Sequence, residues 1–131
     1  MKYNKFFDHT CLKADASLED IKTLCLEAKA FDFASVCVNP FYVPVAKRFL
    51  KGSDVMTCTV IGFPLGQMSP ASKAAEAKDA VLMGADEVDM VINIAMAKAH
   101  DYEFIKREIA AVKDACGMTA TLKVILECCH Q

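Results

Sequence analysis

The chain has no apolar run approaching the roughly 20 residues that a membrane-spanning helix needs, so it holds no such helix. It has no basic block and no acidic tail. Lysines and acids are interspersed and the formal net charge is −2, which leaves no electrostatic footprint for a nucleic acid. The opening residues, Met1 to Asp8, lack the long apolar core of a signal peptide, and none is expected here. Metal-ligand spacing is missing too. Cys128, Cys129 and His130 are adjacent in sequence, and no second pair stands at a zinc-site distance, so no metal is expected. The seven cysteines are irregularly spaced. Cys25, Cys37, Cys58 and Cys116 fall in apolar patterns, where cysteine acts as a small hydrophobe. An odd number without a secretory signal favours a reducing cytoplasm.

What the chain does have is enough apolar residue for a core. Its 131 residues are 54% hydrophobic and 24% charged, the profile of one globular domain over residues 1–131. Ser17-Leu18-Glu19-Asp20 reads as a capping box, with aspartate in the usual glutamate position. Ile21, Leu24, Cys25 and Ala28 then recur at helical spacing to about Ala30. Phe33 to Val38 reads as a strand that stops at Asn39-Pro40. A helix is expected from Val43 to Leu50, with Pro44 in its first turn and Gly52 past its end. Val55 to Ile61 is the next strand. It is closed by Gly62-Phe63-Pro64-Leu65-Gly66, whose glycines allow close backbone approach.

Ser69 caps a helix with Pro70 at its first position and Gly84 at its end. The alanines and alternating charges from Ala71 to Leu82 suit a solvent-facing helix. Asp101 caps another, with Phe104, Ile105, Ile109 and Val112 as its buried stripe and Gly117 near its end. Leu122 to Glu127 is the last of four expected strands, and Asp8 to Lys13 is only a short opening segment.

The most unusual stretch is Ala85 to Asn93. Alternation puts Val88, Met90 and Ile92 on one side and Glu87, Asp89, Val91 and Asn93 on the other. Alone, this strand reads as solvated on its acidic face. The surrounding strand–helix alternation without hairpin signals predicts parallel βα units, however, and these bury both sheet faces. Ser35 with Cys37 and Asn39, Thr57 with Thr59, Glu87 with Asp89, and Lys123 with Glu127 each share a face. Four such faces suit the interior of a (β/α) barrel, with a site at its C-terminal mouth. An open flavodoxin-like sheet is the alternative.

Five segments, taken in order, resemble the N-terminal part of the 2-deoxyribose-5-phosphate aldolase family. They are Asp8-His9-Thr10 with Leu12-Lys13, Ala34 to Pro40, Val60 to Gly66, Gly84 to Val91 and Leu122 to Glu127. The resemblance implies a class I aldolase on a TIM (β/α)8 barrel, here a half-barrel ending after the fourth strand. Such enzymes use no metal or cofactor. They cleave 2-deoxyribose 5-phosphate to glyceraldehyde 3-phosphate and acetaldehyde through a lysine Schiff base. The resemblance makes Asp89 a catalytic proton-relay residue and places Asp8, Cys37 and Lys123 near the substrate. It sets the Schiff-base lysine on the sixth strand and a partner lysine on the seventh, beyond Gln131, with the phosphate loops after strands seven and eight.

Other readings of the same residues remain. Asp89 can serve only to satisfy a buried lysine, Cys37 can be a packed thiol, and Lys123 can replace the Schiff-base lysine. Lysine inside a strand needs a partner, and Asp89 is the expected one. Glu87 is expected to be structural or on a wet rim. The expected partners are a small phosphorylated sugar or aldehyde, and a second copy of the chain paired through open sheet edges. Against the aldolase stand a non-catalytic protein retaining the fold and a thiol- or metal-responsive half-barrel.

Overall fold

The computed structural model describes residues 3–130; Met1 and Lys2 of the opening segment and the terminal Gln131 lie outside the described residues. Five strands form one parallel sheet: β1 (Asp8–Cys11), β2 (Ser35–Val38), β3 (Met56–Ile61), β4 (Glu87–Val91) and β5 (Thr121–Ile125). Five helices run between them: α1 (Leu18–Phe31), α2 (Val43–Phe49), α3 (Pro70–Met83), α4 (Ile94–Lys98) and α5 (Tyr102–Cys116). The expected half-barrel therefore has a fifth strand. Asp8–Cys11 is too short and polar to announce itself by periodicity, and it is a strand because all four residues pair with β2. Helix α4 was also unannounced; Asn93 caps it by accepting from the Met96 backbone N–H.

The local signals that did point to elements are physical in the structure as well. Ser17 and Asp20 form the capping box in both directions. Ser69 caps α3 with Pro70 in its first turn, and Asp101 caps α5. Gly66 has φ +65°, and an added Cβ would stand 2.2 Å from the Ile92 carbonyl oxygen, so only glycine lets the loop after β3 rest on the end of β4.

The strand order is sequential, β1-β2-β3-β4-β5, with no reversal. A doubly wound flavodoxin-like sheet needs a switch point in its order, and this sheet has none. Val36 and Val38 of β2, Ile61 of β3, and Val88 and Met90 of β4 form one core with Ile21, Cys25 and Ala28 of α1, Val43 and Ala46 of α2, Ala77 and Ala80 of α3, and Val112 and Cys116 of α5. The helices thus cover one sheet face, the outer one. The register then assigns the other face. Asp8 pairs with Ser35, Cys37 with Cys58, Cys58 with Glu87 and Asp89 with Lys123, so these side chains share the inner surface. Thr57 and Thr59 do not belong to it. They stand on the outer face, fully buried, with the Thr59 hydroxyl donating to the Val38 carbonyl at 2.7 Å. Their polarity suggested the inner face, but the register decides it.

Helix α3 is not simply solvent-facing. Lys73 is fully buried, and so is Glu108 on α5. The Lys73 ammonium donates to Glu108 Oε1 at 2.8 Å and to the Val91 carbonyl at 2.8 Å. Glu108 Oε2 accepts from the Asn93 backbone N–H at 3.2 Å. One buried ion pair therefore joins two helices and saturates the backbone groups where β4 ends. Ile105 and Val112 flank it as buried members of the α5 stripe, while Phe104 and Ile109 are only half-buried.

Breaking such a pair leaves an uncompensated buried charge. Lys73→Met should destabilise the chain by about 3–5 kcal/mol in urea unfolding. Lys73→Met/Glu108→Leu, which removes both charges, should recover at least about 1 kcal/mol of that loss. A double variant no more stable than the single one would show that the Glu108 charge is not what the single variant strands.

Candidate active site

The inner face carries three carboxylates and one ammonium. Asp8 comes from β1, Glu87 and Asp89 from β4, and Lys123 from β5. The Lys123 nitrogen lies 2.8 Å from Asp8 Oδ2, 3.0 Å from Glu87 Oε2 and 3.4 Å from Asp89 Oδ1. Ser35 on β2 donates to the other Asp8 oxygen at 2.6 Å. In a flat sheet with strands about 4.8 Å apart, β1 and β5 would be about 19 Å from each other. Their side chains touch only because the sheet curls, and the cluster sits inside that curl.

The residues picked out in the sequence are thus gathered on one surface. Lys123 does contact Asp89, but at the longest of its three distances; Asp8 and Glu87 hold it more closely. Cys37 faces inward on β2, buried beside the Cys58 thiol and within 4.8 Å of an Asp89 oxygen. Glu87 is not on a wet rim. Its residue is 8% exposed and it points at the ammonium. The alternation that puts it on the Asp89 face holds, and the curl of the sheet turns that face toward the ammonium. Cys58 reads in the sequence as a small hydrophobe in an apolar strand, and only the β2–β3 register brings it beside Cys37. The terminal Cys128-Cys129-His130 forms an exposed single turn, where the Cys129 thiol lies 3.9 Å from Glu127 Oε1.

The carboxyls are tuned in opposite directions. Burial pushes Asp8 up, but the hydrogen bonds from Lys123 and Ser35 outweigh it and hold the group below its ordinary value. Asp89 is raised, because burial outweighs the attraction of Lys123 and the Cys58 contact, and the charge of Asp8 adds to it. For Lys123 burial favours the neutral amine, yet the Asp8 hydrogen bond and the Glu87 and Asp89 charges win and raise it above the usual ammonium range. Cys58 is raised by its hydrogen bond with Cys37, then by burial. One carboxyl is therefore favoured as the anion and the other is shifted toward its protonated form. Neighbouring carboxyls whose environments push them apart are the arrangement that acid–base chemistry uses.

The chain is similar to known proteins over almost all of its length. Residues 4–131 match the model of the DeoC/LacD family aldolases. This chain belongs to that family. It is 54% identical over 127 residues to the deoxyribose-phosphate aldolase of Lysinibacillus sphaericus, covering 97% of this chain and 57% of that protein. It is 56% identical over 129 residues to the enzyme of that name from Brevibacillus brevis, covering 98% and 58%. Among solved structures, the tetrameric deoxyribose phosphate aldolase of Aeropyrum pernix superposes with a TM-score of 0.79 at 35% identity, over 92% of this chain and 50% of that one. The aldolase QR15 superposes with a TM-score of 0.86 at 35% identity, over 95% of this chain and 55% of that one. The chain thus spans little more than half the length of the aldolases it matches.

Two substitutions test the electrostatics. Lys123→Met leaves three carboxylates facing one another, and because Lys123 is one-third exposed the loss should be about 2 kcal/mol at neutral pH, below the fully buried range. Asp8 has a lowered folded value, so its contribution is present above its unfolded value and lost as pH falls through the folded one. The gap between parent and Lys123→Met should therefore close in acid, as read by Tm against pH. Asp89 has a raised folded value, so its contribution is present below its unfolded value and lost as pH rises through the folded one. Asp89→Asn, indifferent to this, should gain on the parent as pH rises through the carboxylate range. A pH-independent difference would contradict the assignment.

Proposed function

We propose that this chain is the Asp89-bearing part of a deoxyribose-phosphate aldolase, acting on 2-deoxyribose 5-phosphate to release acetaldehyde and glyceraldehyde 3-phosphate. The observation that carries the reading is the split between Asp8, held ionised by Lys123 and Ser35, and Asp89, raised by burial on the neighbouring inner surface. Asp89 takes and returns the protons that carbinolamine dehydration and enamine protonation require. Asp8, Glu87 and Lys123 hold it in place, and Cys37 stands beside it on the inner face. Residues 1–131 act as one partial barrel domain, whose free β1 and β5 edges receive further strands, from the same polypeptide or from a second copy.

Lys123 is not the imine-forming amine in this reading. A Schiff-base lysine must lose its proton to attack a carbonyl, and enzymes lower its pKa by burial or a neighbouring cation. Lys123 has the opposite surroundings, three carboxylates within 3.4 Å. The amine belongs to the part of the relatives' length that this chain does not span, as the family resemblance implies.

Borohydride reduction with 2-deoxyribose 5-phosphate, followed by mass mapping, is the direct test. Lys123 should stay unmodified, and a reduced adduct on it would overturn the assignment. In the protein that joins this chain to the imine-forming lysine, Asp89→Asn should lower kcat about 10²-fold or more. An undiminished kcat would remove Asp89 from the relay.

A further inference from the structure

Asp89 has a second set of neighbours besides Lys123. Cys37 on β2 and Cys58 on β3 pair in register, so both thiols point inward from adjacent strands. Cys58 pairs in turn with Glu87 on β4, and Val60 with Asp89, which brings the Asp89 carboxylate against the two sulfurs. One donor atom from each of the three, Cys37 Sγ, Cys58 Sγ and an Asp89 oxygen, all lie within 4.8 Å of one another. Cys37 is 4% exposed and Cys58 not at all. Neither forms a disulfide.

We infer that Cys37, Cys58 and Asp89 form a binding site for a thiophilic divalent cation of the zinc class. Zinc takes thiolate sulfur at about 2.3 Å and carboxylate oxygen at about 2.0–2.2 Å, so tetrahedral geometry places two sulfurs about 3.8 Å apart. Donors already within 4.8 Å reach that by small side-chain rotations. Two sulfurs select against magnesium and calcium, which prefer oxygen. On binding, each thiol gives its proton to solvent as its sulfur–metal bond forms, and water takes the fourth position.

Two thiolates and one carboxylate around a divalent cation leave one net negative charge, and the Lys123 ammonium, which also faces Asp8 and Glu87, stands next to it. Lys123 need not move to free the ligand. Its bonds to Asp8 at 2.8 Å and Glu87 at 3.0 Å are the short ones, and the Asp89 contact at 3.4 Å is the one given up. Asp89 Oδ1, buried and with only the 3.4 Å Lys123 ion-pair contact in place of a hydrogen bond, gains a ligand bond to the metal. A cation held here occupies the carboxylate assigned above to proton relay and so blocks it. That consequence rests on the proposed function, whereas the binding does not.

Cobalt(II) titration of the full chain, anaerobically and with a phosphine reductant, reads the site without any activity assay. One equivalent should bind with thiolate-to-cobalt charge-transfer absorption and the visible bands of a tetrahedral ion, and zinc should displace it. Cys37→Ser and Cys58→Ser should each remove roughly half of the charge-transfer intensity, since each deletes one of two sulfur ligands. Asp89→Asn should keep the sulfur bands and weaken binding at least about tenfold. Cys128→Ser/Cys129→Ser should change nothing. Circular dichroism establishes that each variant is folded, and the serine variants at 37 and 58 stand in for each other if one is not. No thiolate band at stoichiometric metal, a band untouched in both serine variants, or one lost with the terminal pair would overturn the site.

Discussion

The Lys123 ammonium is the point at which the two edges of this sheet meet. A lysine in the middle of a strand must place its charge somewhere, and Lys123, only one-third exposed, places it among carboxylates. Asp8 from the first strand, with Glu87 and Asp89 from the fourth, converge on it within 3.4 Å. That convergence is possible only if the sheet keeps the curvature that brings β1 opposite β5. Curvature and charge compensation are therefore the same constraint. A flatter sheet would strand the ammonium, and an uncharged residue at position 123 would leave the carboxylates to repel each other.

The outer side solves a similar problem by different means. Lys73 and Glu108 are fully buried, and each spends its remaining hydrogen-bonding capacity on the backbone at the end of β4, the Val91 carbonyl and the Asn93 N–H. These are the groups that a strand leaves unpaired as it passes into a loop. The residue carrying Asp89 thus has its strand anchored two and four positions downstream by a helix-to-helix ion pair. Gly66, whose backbone rests against Ile92, presses on the same strand end from the loop after β3. Three independent contacts converge on the stretch that follows Asp89, and they give its carboxylate a fixed place relative to Lys123.

Much of this could be read from residue order. Caps at Ser17, Ser69 and Asp101 depend on backbone groups within three positions, and such local chemistry is visible in a linear text. The alternation through Glu87 and Asp89 likewise showed that both acids share a face. What stayed hidden depends on distant partners. β1 is a strand only through its pairing with Ser35–Val38, and Thr57 and Thr59 point outward only because of a register that no local pattern encodes. Lys73 looked like any surface lysine on an alanine-rich helix. Its burial follows from Glu108, thirty-five residues later. Of the inner cluster, the ordered motifs reached Asp8, Cys37, Asp89 and Lys123, but missed Glu87 and Cys58, whose roles exist only in three dimensions.

The cluster also explains a division of labour among its charges. If the three carboxylates were equivalent, one ammonium would be shared among them and none would be tuned. They are not equivalent. Asp8 has the shortest contact to Lys123 and a second donor in Ser35, so its charge is the most fully compensated. Asp89 has the longest contact, and its burial outweighs the help of Lys123 and the Cys58 thiol. The same lysine that favours the anion of one carboxylate therefore leaves the other shifted toward its protonated form. The carboxylates around Lys123 in turn favour its charged form over the free amine.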